Sequence, residues 1–306
     1  MAVLDNVEEN VNEVVPEKID AMNRQTLKDR IASYKRTPGS FIVMLLVLLA
    51  AAITIIALVY LLVYILVNGV PYLNADLFSW TYTSENVSVV PAIINTVIMA
   101  LISLLFAIPF GIGSAIYLVE YAKKGNKLVK VVRVTAETLT GIPSIVYGLF
   151  GMLFFVTALH WRFSILAGAC TLAIMVLPVI LRTPEEALMA VPDSFREGSF
   201  GLGAGKLRTI FKIILPSAVP GILSGVILSV GRIVGETAAL MYTAGTVAAI
   251  PKNLFSSGRT LAVHMYVLAS EGLHVDQAYA TAVVLLILVI LINALSSFLA
   301  KKIQKV

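Results

Sequence analysis

Twenty-seven consecutive residues without a charge, FIVMLLVLLAAAITIIALVYLLVYILV from Phe41 to Val67, restrict this chain more than anything else in it. About 20 apolar residues carry a helix across the ~30 Å hydrocarbon core of a bilayer. In that core the backbone has no water to bond, so a crossing segment must pair its own N–H and C=O groups, as a helix does. Five further stretches read the same way: 92–121, 131–159, 163–181, 217–247 and 278–300. The expectation is an all-α integral membrane protein with six transmembrane helices. Composition agrees, with 58% of residues hydrophobic and 13% charged, where a soluble domain carries about a quarter charged.

The bases set the orientation, because Lys and Arg collect on the cytoplasmic side. With the N-terminus inside, nineteen bases fall on the inner side, among them Lys123, Lys127, Lys130, Arg133, Arg182, Arg196, Lys206 and Lys301. Three fall outside (Arg162, Lys252 and Arg259), and Arg232 lies within a span. Both termini are therefore expected in the cytoplasm. Residues 1–40 read as a polar tail and 41–67 as the first helix. Residues 68–91 form an outer loop, 92–300 a five-helix transmembrane domain, and 301–306 a basic C-terminus. The first apolar run begins too far along the chain, and is too long, to be a cleavable signal.

Several chemistries are excluded. A single cysteine, Cys170, permits no disulfide within the chain. His160, His264 and His274 all map to the outer side without a metal-binding spacing, so no metal is expected. The pI near 9.2 reflects inner-side bases rather than nucleic-acid binding. GAGKL at 203–207 is not a phosphate-binding loop: Phe200 stands where its first glycine belongs, and Leu207 where Ser or Thr belongs.

The fifth span contains two charges, Arg232 and Glu236, in LSVGRIVGETAAL. At 100° per residue Ser217, Gly221, Gly225, Ser229, Arg232, Gly235, Glu236 and Ala239 share one small, polar face. Leu223, Val230, Val234 and Met241 lie opposite. A small face lets another backbone come close, and charges inside a membrane face the protein interior or a water-filled path. Arg232 suits an oxyanion, because a guanidinium stays charged and offers parallel donors. Two readings follow, an internal i,i+4 ion pair or a substrate path, with Thr237 and Ser144 as further path residues. Gly141 and Pro143 in GIPS are expected to break the third span.

The inner loop between the fourth and fifth spans, 185–215, is long, amphipathic and punctuated by glycine. An amphipathic helix there needs a partner to cover its apolar face. It carries Glu197, Gly198 and Ser199, then Gly203, Ile213, and Leu215-Pro216. At these spacings it resembles the E-A-A loop of ABC importer permeases, with Gly-Ser in place of Ala-Ala. GIPSIVYGLFG (141–151) and GRIVGETAALMYTAG (231–245) resemble the phosphate-specific permeases of the PstA type. The resemblance covers about residue 90 to the end. It implies the type I ABC importer permease fold with a cytoplasmic coupling helix, in a bacterial or archaeal cell membrane. The implied partners are a PstC-like permease, two copies of a PstB-like ATPase and a PstS-like binding protein outside. ATP and Mg would be used by the ATPase, with no cofactor bound by this chain and no catalysis of its own. The alternatives are a PstC-like paralogue, a sulfate or molybdate permease, and, from a different class, a secondary transporter.

Overall fold

The computed structural model describes residues 38–123 and 125–303. Most of the expected polar tail and residues 304–306 lie outside them. The chain divides into two compact units, residues 1–63 and 64–306. What is described of the first is most of helix α1, Pro38–Gly69. Its Thr54 returns its hydroxyl to the Ala50 carbonyl at 2.9 Å, so even this polar side chain is satisfied within the helix.

The regular elements of the second unit are all helices among the described residues, joined by loops. Its long helices are α2 (Val90–Ile116, running on to Tyr121 as a π turn), α5 (Ile165–Met189), α8 (Leu215–Val234) and α11 (Val275–Ile303). Between them stand α3 (Lys127–Thr140), α4 (Ser144–Gly151, continued by a π turn to Ala158), α6 (Asp193–Gly201) and α7 (Lys206–Thr209). The short α9 (Ala238–Met241) and α10 (Leu261–Glu271) follow α8. Helix α5 is the centre: 67% of its most apolar stretch is buried, against 33% for α2. Its neighbours approach through small residues. A Cβ added to Gly111 of α2 would lie 2.7 Å from Ile180 Cγ2. On α8, Gly221 and Gly225 lie as close to Ala187 and Thr183 of α5. The small face expected of the fifth span therefore packs against the central helix.

Among the described residues five helices are long and apolar enough to cross a membrane, and the pair α3–α4 makes a sixth crossing if taken together. Two expected spans need correction, and the third breaks where GIPS was expected to break it: α3 and α4 meet at 104°. Gly141 and Ile142 close α3 with tight turns to Thr138 and Leu139, and Pro143, lacking an N–H, cannot continue it. Helix α3 also carries Lys127, Lys130, Arg133 and Glu137, too many charges for hydrocarbon. The fourth span does not end near its prolines. Helix α5 runs through Pro178 and Pro184 to Met189, as membrane helices do when neighbours satisfy the freed carbonyls. The coupling loop accordingly begins after Met189 rather than at 185. The fifth span stops at Val234 instead of continuing to 247.

Candidate functional site

The two segments GIPSIVYGLFG and GRIVGETAALMYTAG come into direct contact. Gly148 of α4 faces α9 so closely that a Cβ there would lie 2.8 Å from Ala239 Cα and 3.2 Å from its carbonyl oxygen. Gly151, one turn on, lies against Thr171 and Thr243. Tyr147 is buried and donates its hydroxyl to the Leu139 carbonyl at 2.8 Å, tying α4 to the end of α3 across the break. Arg232 lies close enough to act electrostatically on Tyr147.

The end of α8 rearranges the expected charge pair. Gly235 and Glu236 donate their backbone N–H groups to Gly231 and Ile233, closing the helix. Arg232 thus occupies the last turn of α8, where the carbonyl end of the helix dipole favours a cation. Glu236 does not follow it around a common helix. It is 8% exposed, and its Oε1 accepts the Ala239 N–H at 3.0 Å, completing the start of α9. No ion pair joins Arg232 to Glu236, and Arg232 makes no hydrogen bond or ion pair among the described residues. Ser144 and Thr237 are likewise partly exposed, with no side-chain hydrogen bond among the described residues. Three of the four expected path residues are therefore unengaged polar groups among the described residues, and the fourth holds a helix end.

The coupling segment forms a short helix, α6, and a return. Gly203 has φ +79°, a left-handed conformation that glycine adopts without a Cβ penalty. Its N–H reaches the Phe200 carbonyl at 2.9 Å, and Ala204 N–H reaches Ser199 at 3.1 Å, the paired bonds that terminate a helix at glycine. Ser199 and Thr209, both buried, share a 2.8 Å hydrogen bond between hydroxyls that closes the return. Glu197 and Gly198 are exposed, as are Phe195, Phe200 and Leu202, the last by 91%. Ile213 packs in the cluster around Leu188 and Ile214, and Leu215 and Pro216 open α8.

Behind α6 lies an ion-pair network invisible to sequence spacing. Arg196 donates to Glu120 at 2.8 and 3.1 Å, to Asp193 at 3.1 Å, and to the Val191 and Leu188 carbonyls at 2.8 and 3.0 Å. Arg133 pairs with buried Glu185 of α5, and Glu137 lies 3.6 Å from Arg182. Arg196 and its partner Glu120 are 76 positions apart. No local signal names such a pair; Gly148 and Gly151, by contrast, are announced by their small-residue spacing in an apolar helix. No cluster of metal-ligating residues occurs among the described residues.

Comparison with known proteins accords with this geometry. Residues 107–305 match the family described as binding-protein-dependent transport system inner membrane component. The chain is 34% identical over 280 residues to a probable ABC transporter permease protein, YqgI, of Bacillus subtilis, covering 84% of this chain and 93% of that one. It is 34% identical over 224 residues to the phosphate transport system permease protein PstA 1 of Mycobacterium tuberculosis, covering 70% and 73%. A chain of a bacterial alginate ABC transporter, solved with an alginate-bound periplasmic protein, superposes with a TM-score of 0.65 at 18% identity. That superposition covers 89% of this chain and 98% of the other, and speaks to fold. A family match over residues 107–305 and a shared helical architecture agree with the coupling segment and the broken third span: the chain belongs to the binding-protein-dependent transport system inner membrane components, with the type I ABC importer permease fold.

Proposed function

We propose that this chain is a membrane permease subunit of an ATP-driven phosphate importer of the PstA type. The observation that carries the reading is Arg232, a cation without a protein partner among the described residues, set where the two motif segments meet. An oxyanion supplies the missing counter-charge, and a guanidinium binds one with parallel hydrogen bonds while never losing its proton. The similarity to PstA permeases supports phosphate as that oxyanion. Ser144 and Thr237 add hydroxyls to the same path. Glu236 keeps one carboxylate oxygen outside the cap at α9, and that oxygen accepts the proton that phosphate, unlike sulfate, carries near neutral pH.

Both termini lie in the cytoplasm, and α6 is the coupling helix. Its exposed Phe195, Phe200 and Leu202, with Glu197 beside them, seat on a PstB-like ATPase, which binds ATP and Mg. A PstC-like permease completes the path and a PstS-like protein delivers phosphate from outside. Motion at α6 has a direct route inward: the Ser199–Thr209 bond holds it to α7, and helical structure then runs from Lys206 to Val234, two residues past Arg232. The test is isolation of the chain from its native membrane with mass-spectrometric identification of what accompanies it. An ATPase and a second permease are expected. Phosphate uptake by the purified chain alone, driven by an ion gradient, would instead make it a secondary transporter.

A further inference from the structure

The end of the second unit opposite the basic coupling segment holds a second cation without an anion. Arg259 is 4% exposed, its Nε and Nη2 are buried without a hydrogen bond, and it forms no ion pair among the described residues. Its guanidinium lies 4.7 Å above the Tyr82 ring. A cation–π contact of that kind offsets only part of the cost of burying a charge. Its backbone is pinned: Arg259 N–H donates to Val247 at 3.0 Å, and Asn95 Nδ2 donates to the Arg259 carbonyl at 3.1 Å.

The groups around it are orphaned as well. Thr260, which precedes α10, is 2% exposed and its hydroxyl has no partner. His264, 1% exposed, packs edge-on to Tyr82; the Val87 backbone faces its ring, and neither ring nitrogen completes a hydrogen bond. The backbone N–H groups of Ala262 and Val263, in the first turn of α10, find no acceptor in the preceding segment. Asn95 Oδ1 is a buried acceptor without a donor. Buried polar groups are nearly always paired, so four such side chains, two on this loop and one each on α10 and α2, call for a common ligand. All but Asn95 Oδ1 can donate, one is permanently cationic, and they gather at a helix N-terminus, which attracts anions. The single acceptor suits a ligand that retains one hydroxyl.

We propose that Arg259, Thr260, His264, Asn95 and the first turn of α10 form an oxyanion-binding site that takes a protonated tetrahedral oxyanion such as hydrogen phosphate. The site is separate from Arg232 but joined to it. Gly258 and Arg259 bond to Ala244 and Val247, on the segment that leaves α9, at 3.3 and 3.0 Å. On the orientation proposed above it lies at the outer end, where an anion released by a binding protein would first meet the permease. The assignment of its anion rests on the oxyanion reading of the preceding section.

The test is equilibrium binding of radiolabelled inorganic phosphate to the purified permease–ATPase complex in nanodiscs, without binding protein or nucleotide. Variants are Arg259→Gln, Arg259→Lys and Thr260→Val, with Arg232→Gln as a separate arm and unlabelled sulfate as competitor. The expected result is a phosphate-binding component that Arg259→Gln weakens at least about tenfold, Arg259→Lys and Thr260→Val weaken less, and Arg232→Gln leaves in place. Sulfate should compete poorly. If sulfate binds tightly at the Arg259-dependent component and phosphate does not, the site stands and the phosphate reading falls. Unchanged phosphate binding in Arg259→Lys and Thr260→Val overturns the site if Arg259→Gln also binds normally or does not fold. Loss of the partner permease from the Arg259→Gln complex, with binding otherwise normal, assigns the arginine to assembly and also overturns it.

Discussion

Glu236 shows how a residue's neighbours decide its role. Its Oε1 holds the Ala239 N–H, so Glu236→Gln retains the acceptor and loses only the charge. Glu236→Ala removes the cap, and the loss of a capping group costs about 0.5–2 kcal/mol. Thermal unfolding of the assembled complex should therefore show Glu236→Gln near wild type and Glu236→Ala lowered. Phosphate-over-sulfate preference should relax in both, and an unchanged preference in Glu236→Gln would remove the carboxylate from substrate selection. Gly148 gives a second prediction. Its Cβ would meet Ala239 Cα at 2.8 Å, backbone against backbone, so Gly148→Ala forces α4 and α9 apart. Overpacking of this kind costs about 1–3 kcal/mol, and transport should fall while ATP hydrolysis persists. Gly203→Ala strains a left-handed turn rather than a contact, because nothing lies within 4 Å of its Cβ position. The penalty, about 1–2 kcal/mol, falls on the end of α6, and its signature is ATP hydrolysis no longer matched by uptake.

At the scale of elements, the apolar runs and the coupling segment were legible in the sequence, and the helix breaks were only half so. GIPS announces a break, since glycine and proline interrupt helices for known reasons. The 104° angle is not announced, because it depends on where Gly148 lets α9 approach and on Tyr147 reaching Leu139. The end of α8 misleads a helical wheel. Gly235 and Glu236 fit the small face in projection, and nothing in a 3.6-residue period reveals that Gly235 and Thr237 leave the helix. The cap formed by Glu236, three residues before Ala239, is the available local signal. Prolines at 178 and 184 mislead in the opposite sense, because tertiary packing carries α5 through both. Helix α10 allows a prediction of pH dependence. Burial, and then the charge of Arg259, lower the pKa of His264 from 6.5 to about 3. In the unfolded chain the ring takes a proton below about pH 6.5, which the folded state resists. Its contribution is therefore complete above that pH and is lost as pH falls toward 3. The melting temperature of the complex should drop between pH 7 and 4, and His264→Gln should flatten that slope.

For the molecule as a whole, the arrangement joins two ends of one device. Helix α6 is fixed to α2 and α5 by Arg196, through Glu120 and the Leu188 and Val191 carbonyls, and to α7 by Ser199. From α7 helical structure continues to α8, whose last turn presents Arg232. On the proposed function, ATP hydrolysis by a partner and passage of an anion are linked through this continuous path. The most direct measurement is ATP-driven uptake of radiolabelled phosphate by the complete importer in proteoliposomes, with wild-type chain and with Arg232→Gln, beside ATP hydrolysis in the same vesicles. Arg232→Gln is expected to lose uptake while the complex assembles and hydrolyses ATP; uptake by Arg232→Gln equal to wild type would remove Arg232 from the anion path.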